Sequence, residues 1–178
     1  MKAVHGDKLR VTWKNFSLEE VNKKQPEDWH VWDQPDDYPT RGLPAFRAVE
    51  AARLQGDDAF DRMHFALLEG RHQRRKDFTD AGDIAELAAE AGLDVERFKR
   101  DVADRSLLRR VADDYADSVK VGVFGTPTFV FENGSSFFMR IRAEEDDQAA
   151  ARTFDGLYEL FVKQRNVGEV KRPTPPSD

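Results

Sequence analysis

The segment Val121-Gly122-Val123-Phe124-Gly125-Thr126-Pro127-Thr128-Phe129-Val130-Phe131 sets a glycine-flanked Thr-Pro step directly before a run of β-branched and aromatic residues. A cis bond costs far less before proline than before any other residue and makes a sharp, rigid turn. In that form Thr126 would present its backbone N–H and C=O outward. An ordinary trans turn entering a strand is the alternative reading of the local motif. Pro127 itself brings neither an N–H nor a metal ligand.

The side chains offer less. There is no cysteine, which excludes disulfides, thiolate zinc sites, iron–sulfur clusters and cysteine nucleophiles within these residues. His64 and His72 lie eight apart, but Gly70 falls between them and no third ligand is evident, so a surface or partly buried pair is the expectation. His30, between Trp29 and Trp32, is expected to be an aromatic-packed loop residue rather than an acid–base group. Arg71, Arg74, Arg75 and Lys76 form a basic cluster that could meet an acidic partner, though such a run more commonly ends a helix in solvent. Glu144-Glu145-Asp146-Asp147 is expected to begin the last helix for the mirrored reason, and it lacks the spacing of a calcium loop. Asp36-Asp37 and Asp113-Asp114 are adjacent carboxylates that would point apart on a helix. No phosphate loop, dinucleotide fingerprint or Gly-x-Ser-x-Gly is present.

Charge narrows the partners. Lys and Arg total 28 against 34 Asp and Glu, a net −6, which repels phosphate backbones and argues against nucleic acid. The apolar runs fall far short of a membrane span, and the first seven residues contain no apolar signal core, so a cytoplasmic protein without membrane contact is expected. A length of 178 residues suits one domain of ordinary size.

The elements that must position Thr126 follow from periodicity. Leu9, Val11 and Trp13 alternate with charged and polar residues, which predicts a strand over 8–15. Four prolines between 26 and 44 then predict a packed loop. From Leu43 to Val119 the spacing is helical: Phe46, Val49 and Leu54; Phe60, Met63 and Leu67; Ile84, Leu87, Ala88 and Ala91; Val95, Phe98 and Val102 behind an Asp94 N-cap; and Leu108, Val111, Tyr115 and Val119. Gly56, Gly70, Gly82 and Gly92 fall where helix ends are expected. A hairpin follows, Thr128–Phe131, a turn at Glu132-Asn133-Gly134, then Phe137–Ile141, with Asn133-Gly134 favouring a type I′ connection. Phe154, Leu157, Tyr158 and Phe161 mark a final helix, and 172–178 reads as a frayed tail.

In this order and with this Thr-Pro loop, the chain resembles the DsbA-like family of the thioredoxin superfamily. Trp13-Lys14-Asn15-Phe16-Ser17-Leu18, Arg41 to Ala48 and Phe65 to His72 agree with the resemblance, which covers nearly the whole chain. Relatives of that family include 2-hydroxychromene-2-carboxylate isomerase and kappa-class glutathione transferase. The resemblance implies an α/β thioredoxin-like fold, with its core in 1–42 and 120–171, a helical insertion over 43–119 and a disordered tail over 172–178. It also implies a cis-proline loop in which Phe124, Gly125, Thr126 and Pro127 bind substrate, Thr126 pairing with an extended peptide or with the cysteinyl backbone of glutathione.

Members of that family open with a strand and a cysteine motif at a helix start, and neither has a counterpart here. The first, central strand of the sheet is therefore expected to be missing, Met1 to Asp7 resembling the end of the helix that follows it. The expectation at family level is a thiol–disulfide oxidoreductase, truncated and redox-inactive as written, acting on peptide thiols or disulfides. One alternative is a cysteine-free module that binds peptide or glutathione in the cis-proline groove. Another is a relative of the glutathione-dependent isomerases and transferases. No cofactor is implied, and glutathione would enter as substrate or ligand, one of its carboxylates being a second candidate partner for the basic cluster Arg71, Arg74, Arg75 and Lys76.

Overall fold

The computed structural model describes residues 2–140, 146–164 and 166–170. The described residues of Met1–Trp13 and Gly125–Asp178 form one compact unit, and Lys14–Phe124 form another. The expected tail over 172–178 lies outside the described residues.

The first unit begins with α1 (Lys2–His5) and a 3-10 turn over Gly6–Lys8. The strand expected over 8–15 does not form: residues 9–16 carry no regular secondary structure. Alternation gives a chain one apolar face, but a strand also needs a neighbour for its N–H and C=O groups. Among the described residues no strand pairs with this segment. Leu9 instead lays its side chain against the aromatic core of its unit.

The hairpin does form, as β1 (Thr128–Val130) paired antiparallel with β2 (Ser136–Phe138). Its register sets Thr128 opposite Phe138, Phe129 opposite Phe137 and Val130 opposite Ser136. The turn differs from the expected type I′, which needs positive φ at both central residues. Here Gly134 stands at φ 79° while Asn133 does not take positive φ. Gly134 N–H donates to the Phe131 carbonyl at 2.9 Å and Phe131 N–H to the Ser135 carbonyl at 2.9 Å, leaving a three-residue loop. The Asn133 side chain fixes it by accepting the Ser135 N–H at 3.0 Å. Ile141, expected in the second strand, lies outside the described residues.

The last helix, α8 (Asp147–Tyr158), continues as a π-helical turn over Glu159–Lys163. Asp146 caps it by accepting the Gln148 N–H at 2.9 Å. Glu144 and Glu145 of the acidic run lie outside the described residues. Phe137, Met139, Phe154 and Val162 are buried together, with Phe129, Phe131, Tyr158 and Phe161 around them. The rings meet at tilted and stacked angles, Phe129 and Phe137 with centroids 5.2 Å apart.

The second unit is helical. After α2 (Leu18–Val21), whose Ser17 Oγ accepts the Glu20 N–H, come α3 (Leu43–Arg53), α4 (Asp57–His72), α5 (Ala81–Glu90), α6 (Val95–Val102) and α7 (Leu108–Lys120). Helix α3 packs against α4, α6 and α7, and α5 lies against α4 and α6. Met63, Leu87, Phe98 and Val111 are fully enclosed. Asp94 caps α6 by accepting the Arg97 N–H at 3.0 Å.

Gly70 does not end a helix; it lies inside α4. A Cβ there would stand 2.9 Å from Leu87 Cδ1, so glycine is what lets α5 approach this closely.

Candidate functional site

Gly125, Thr126 and Pro127 precede β1, and the Thr126–Pro127 bond is cis. Thr126 and Pro127 are exposed, whereas Gly125 is buried. The Phe138 ring presses on Gly125 so closely that a Cβ would lie 3.2 Å from it. Thr128 Oγ1 donates to the Gly125 carbonyl at 2.7 Å, and Met139 N–H to the Pro127 carbonyl at 3.1 Å. The loop is thus tied on both sides of Thr126. Among the described residues, no hydrogen bond engages the N–H or C=O of Thr126 itself. Phe124, the last residue of the helical unit, is 67% exposed.

The helical unit holds its ionisable groups differently. Buried Glu20 accepts from Lys23 Nζ and His30 Nδ1–H, both at 2.8 Å through Oε1, and from the Val31 N–H at 3.0 Å through Oε2. Burial pushes this carboxyl upward. The Lys23 ammonium, the Val31 N–H and His30 together outweigh burial and hold it below the ordinary carboxylate range. His30 stacks on Trp32 with centroids 5.0 Å apart, so it is aromatic-packed as expected and also joined to a buried carboxylate.

Asn15, Glu50 and Asp114 form a second buried set. Asn15 Nδ2 donates to Glu50 Oε1 at 2.8 Å and to Asp114 Oδ2 at 3.1 Å, and its backbone N–H donates to Asp114 Oδ2 at 3.0 Å. Lys14 and Arg110 pair with Asp114, and Arg53 with Glu50. The Asp113-Asp114 pair therefore splits, Asp113 exposed and Asp114 buried as an acceptor. Asp36 is held by Arg47 and Arg105. Sequence reasoning did not identify Asn15, Glu20 or Glu50; the Ser17-x-x-Glu20 capping spacing was the one local signal.

His64 and His72 both lie on α4, His64 stacked on Phe60 at 5.9 Å and His72 exposed. Burial pushes the His64 imidazole down, with Asp61 partly opposing it. Among the described residues no group of three or more His, Cys, Asp or Glu side chains is arranged to hold a metal ion.

The chain belongs to the family of DSBA-like thioredoxin domains, whose family model matches residues 1–149. It is 34% identical over 136 residues to the Na(+)/H(+) antiporter NhaA 1 of Mycolicibacterium vanbaalenii, covering 75% of this chain and 18% of that protein. Against the Na(+)/H(+) antiporter NhaA of Herminiimonas arsenicoxydans it is 36% identical over 146 residues, 75% of this chain and 20% of that one. The ClpXP adapter protein SpxH of Bacillus subtilis is 31% identical over 109 residues, 60% of this chain and 36% of the adapter. The chain thus spans only a minor part of the length of these relatives. No helix among the described residues is long and apolar enough to cross a membrane.

Proposed function

We propose that this chain supplies the substrate-holding part of DsbA-like thiol–disulfide chemistry, with Thr126 pairing through its backbone to an extended peptide or to the cysteinyl backbone of glutathione. The observation that carries the reading is that the N–H and C=O of Thr126 are unengaged among the described residues, in an exposed loop tied down at Gly125 and Pro127. An added strand would find both a donor and an acceptor there. These residues contain no thiol, so the electron-transferring group of an oxidoreductase would be supplied from outside them. The partner is then a peptide thiol, a peptide disulfide or glutathione, met in the cytoplasm.

A second reading is a binding module that performs no redox step. The absence of cysteine favours it, as does the resemblance to a protein named as an adapter. The glutathione-dependent isomerase and transferase relatives rank below both, since their chemistry also needs groups that these residues do not carry.

Titration of the chain with glutathione and with an extended cysteine-containing peptide, followed through the Thr126 amide by NMR, tests the shared element. A saturable shift that survives Thr126→Ala, which keeps the backbone, is expected. An unperturbed Thr126 would remove both readings. The intact mass and thiol count of the native protein separate them: one or two thiols support the oxidoreductase, and none supports the binding module.

A further inference from the structure

The basic cluster at the end of α4 resolves into two kinds of residue. Arg74 clasps Glu90 through both guanidinium nitrogens, at 2.9 and 2.7 Å, and Lys76 pairs with Asp83 and Glu86. Arg71 makes a 3.4 Å contact to the Lys76 carbonyl and also attracts the Asp77 carboxylate. It lines a cavity of about 300 Å3 together with Arg41, Asp77, Phe78 and Thr79. Among the described residues the Arg41 guanidinium has no ion-pair or hydrogen-bond partner.

Two carboxylates stand nearby, and Glu19 Oε2 is buried with no hydrogen-bond partner among the described residues. Asp77 Oδ1 accepts both the N–H and the hydroxyl of Thr79, at 3.0 and 2.9 Å, and these bonds, with the Arg71 guanidinium adding to them, hold its carboxyl below the ordinary range. Glu19 Oε1 accepts the Arg41 backbone N–H at 2.7 Å. The rim is ordered by further bonds: Lys76 N–H to the Gly70 carbonyl at 2.9 Å, and Asp77 N–H to Asp83 Oδ2 at 2.8 Å. Phe78 is buried and supplies an apolar wall.

Two guanidinium forks line one cavity on an ordered rim, neither in an ion pair within 4 Å among the described residues, and together they offer the paired N–H donors that an oxyanion takes, with Asp77 sharing part of the Arg71 charge. The volume stands at the lower end of small-molecule sites, which run from about 300 to 1,000 Å3. The geometry points to a binding site for a small oxyanionic metabolite, its phosphate or carboxylate group held by Arg41 and Arg71 and its short apolar portion against Phe78. The two sources share one chemistry, and the probes below distinguish them.

The test is titration of the full chain with inorganic phosphate and with malonate at fixed ionic strength, following the Phe78 and Thr79 amides by NMR. Saturable shifts with either probe are expected, phosphate preference marking a phosphate ester and malonate preference a carboxylate. Arg41→Gln and Arg71→Gln should each weaken binding roughly tenfold, the scale of a lost charged hydrogen bond. Arg100→Gln, an exposed cation on α6, should leave binding unchanged. Arg41→Lys keeps the charge without the fork and should fall between, which guards against a variant that does not fold. Shifts that grow linearly with both probes, or saturable binding that survives loss of either arginine, would overturn the site. Neither outcome depends on Thr126.

Discussion

Glu20→Gln removes one charge from the most enclosed ion pair near the amino end of the helical unit. The Glu20 side chain is 1% exposed and that of Lys23 17% exposed, so water replaces little of what is lost. An amide oxygen can keep one of the three donors that now converge on the carboxylate, while the new NH2 must face another. Removing one partner of a buried pair costs about 3–5 kcal/mol. Lys23 also donates to the carbonyls of Glu27 and Trp29, which favours the lower end, about 3 kcal/mol. Urea unfolding at neutral pH, with the slope unchanged, is the assay. Because the folded carboxyl is held below its ordinary value, the unfolded chain takes up the proton first as pH falls. The contribution is therefore fully present above the unfolded pKa and disappears as pH drops through the folded one. Wild type and Glu20→Gln should converge in stability below that point. A loss under about 1 kcal/mol at neutral pH, or a difference that grows on acidification, would refute the reasoning.

Asn15→Asp places a third carboxylate against Glu50 and Asp114 and should cost about 3 kcal/mol or more in thermal unfolding, whereas Asn15→Ala, which only removes donors, should cost about 2. Gly70→Ala sets a methyl group 2.9 Å from Leu87 Cδ1 inside the core; the clash should outweigh the helix preference for alanine and lower stability by about 1 kcal/mol in urea. Asp94→Ala removes the α6 cap and should cost about 1 kcal/mol, seen as earlier hydrogen exchange at Arg97. Gly134→Ala forces a side chain to φ 79° and should cost about 1–2 kcal/mol, with broadened hairpin resonances.

Local pattern was enough for the helices, because burial of one face writes itself into a 3.6-residue spacing. Ile84, Leu87 and Ala88 are buried as their spacing requires, and Asp94 caps where an aspartate before Val95-x-x-Phe98 should. It failed where the partner of one particular side chain decides, whether near or far along the chain. Asn133-Gly134 predicts a two-residue turn only if the asparagine adopts positive φ, and its side chain instead captures Ser135. Gly70 reads as a helix end until Leu87 is seen to fill its missing Cβ. Asn15, Glu50 and Asp114 stand 35 and 99 residues apart, so no window of sequence could join them.

The absent strand and the buried carboxylates have a common physical root. A segment such as 8–15 must place each enclosed N–H somewhere, since an orphaned one costs about 1–3 kcal/mol. At its end, where the alternation predicted a ladder, the Asn15 N–H is taken by a side chain, Asp114 Oδ2, and the Asn15 amide extends the same bond to Glu50. A ladder partner is a neutral carbonyl; this one is a carboxylate on α7, and it draws Lys14 and Arg110 in with it. Residues 14 and 15 are therefore specified by charge rather than by sheet register. The same accounting finds no partner among the described residues for the backbone N–H and C=O of exposed Thr126, and the recognition proposed above would act on those two groups.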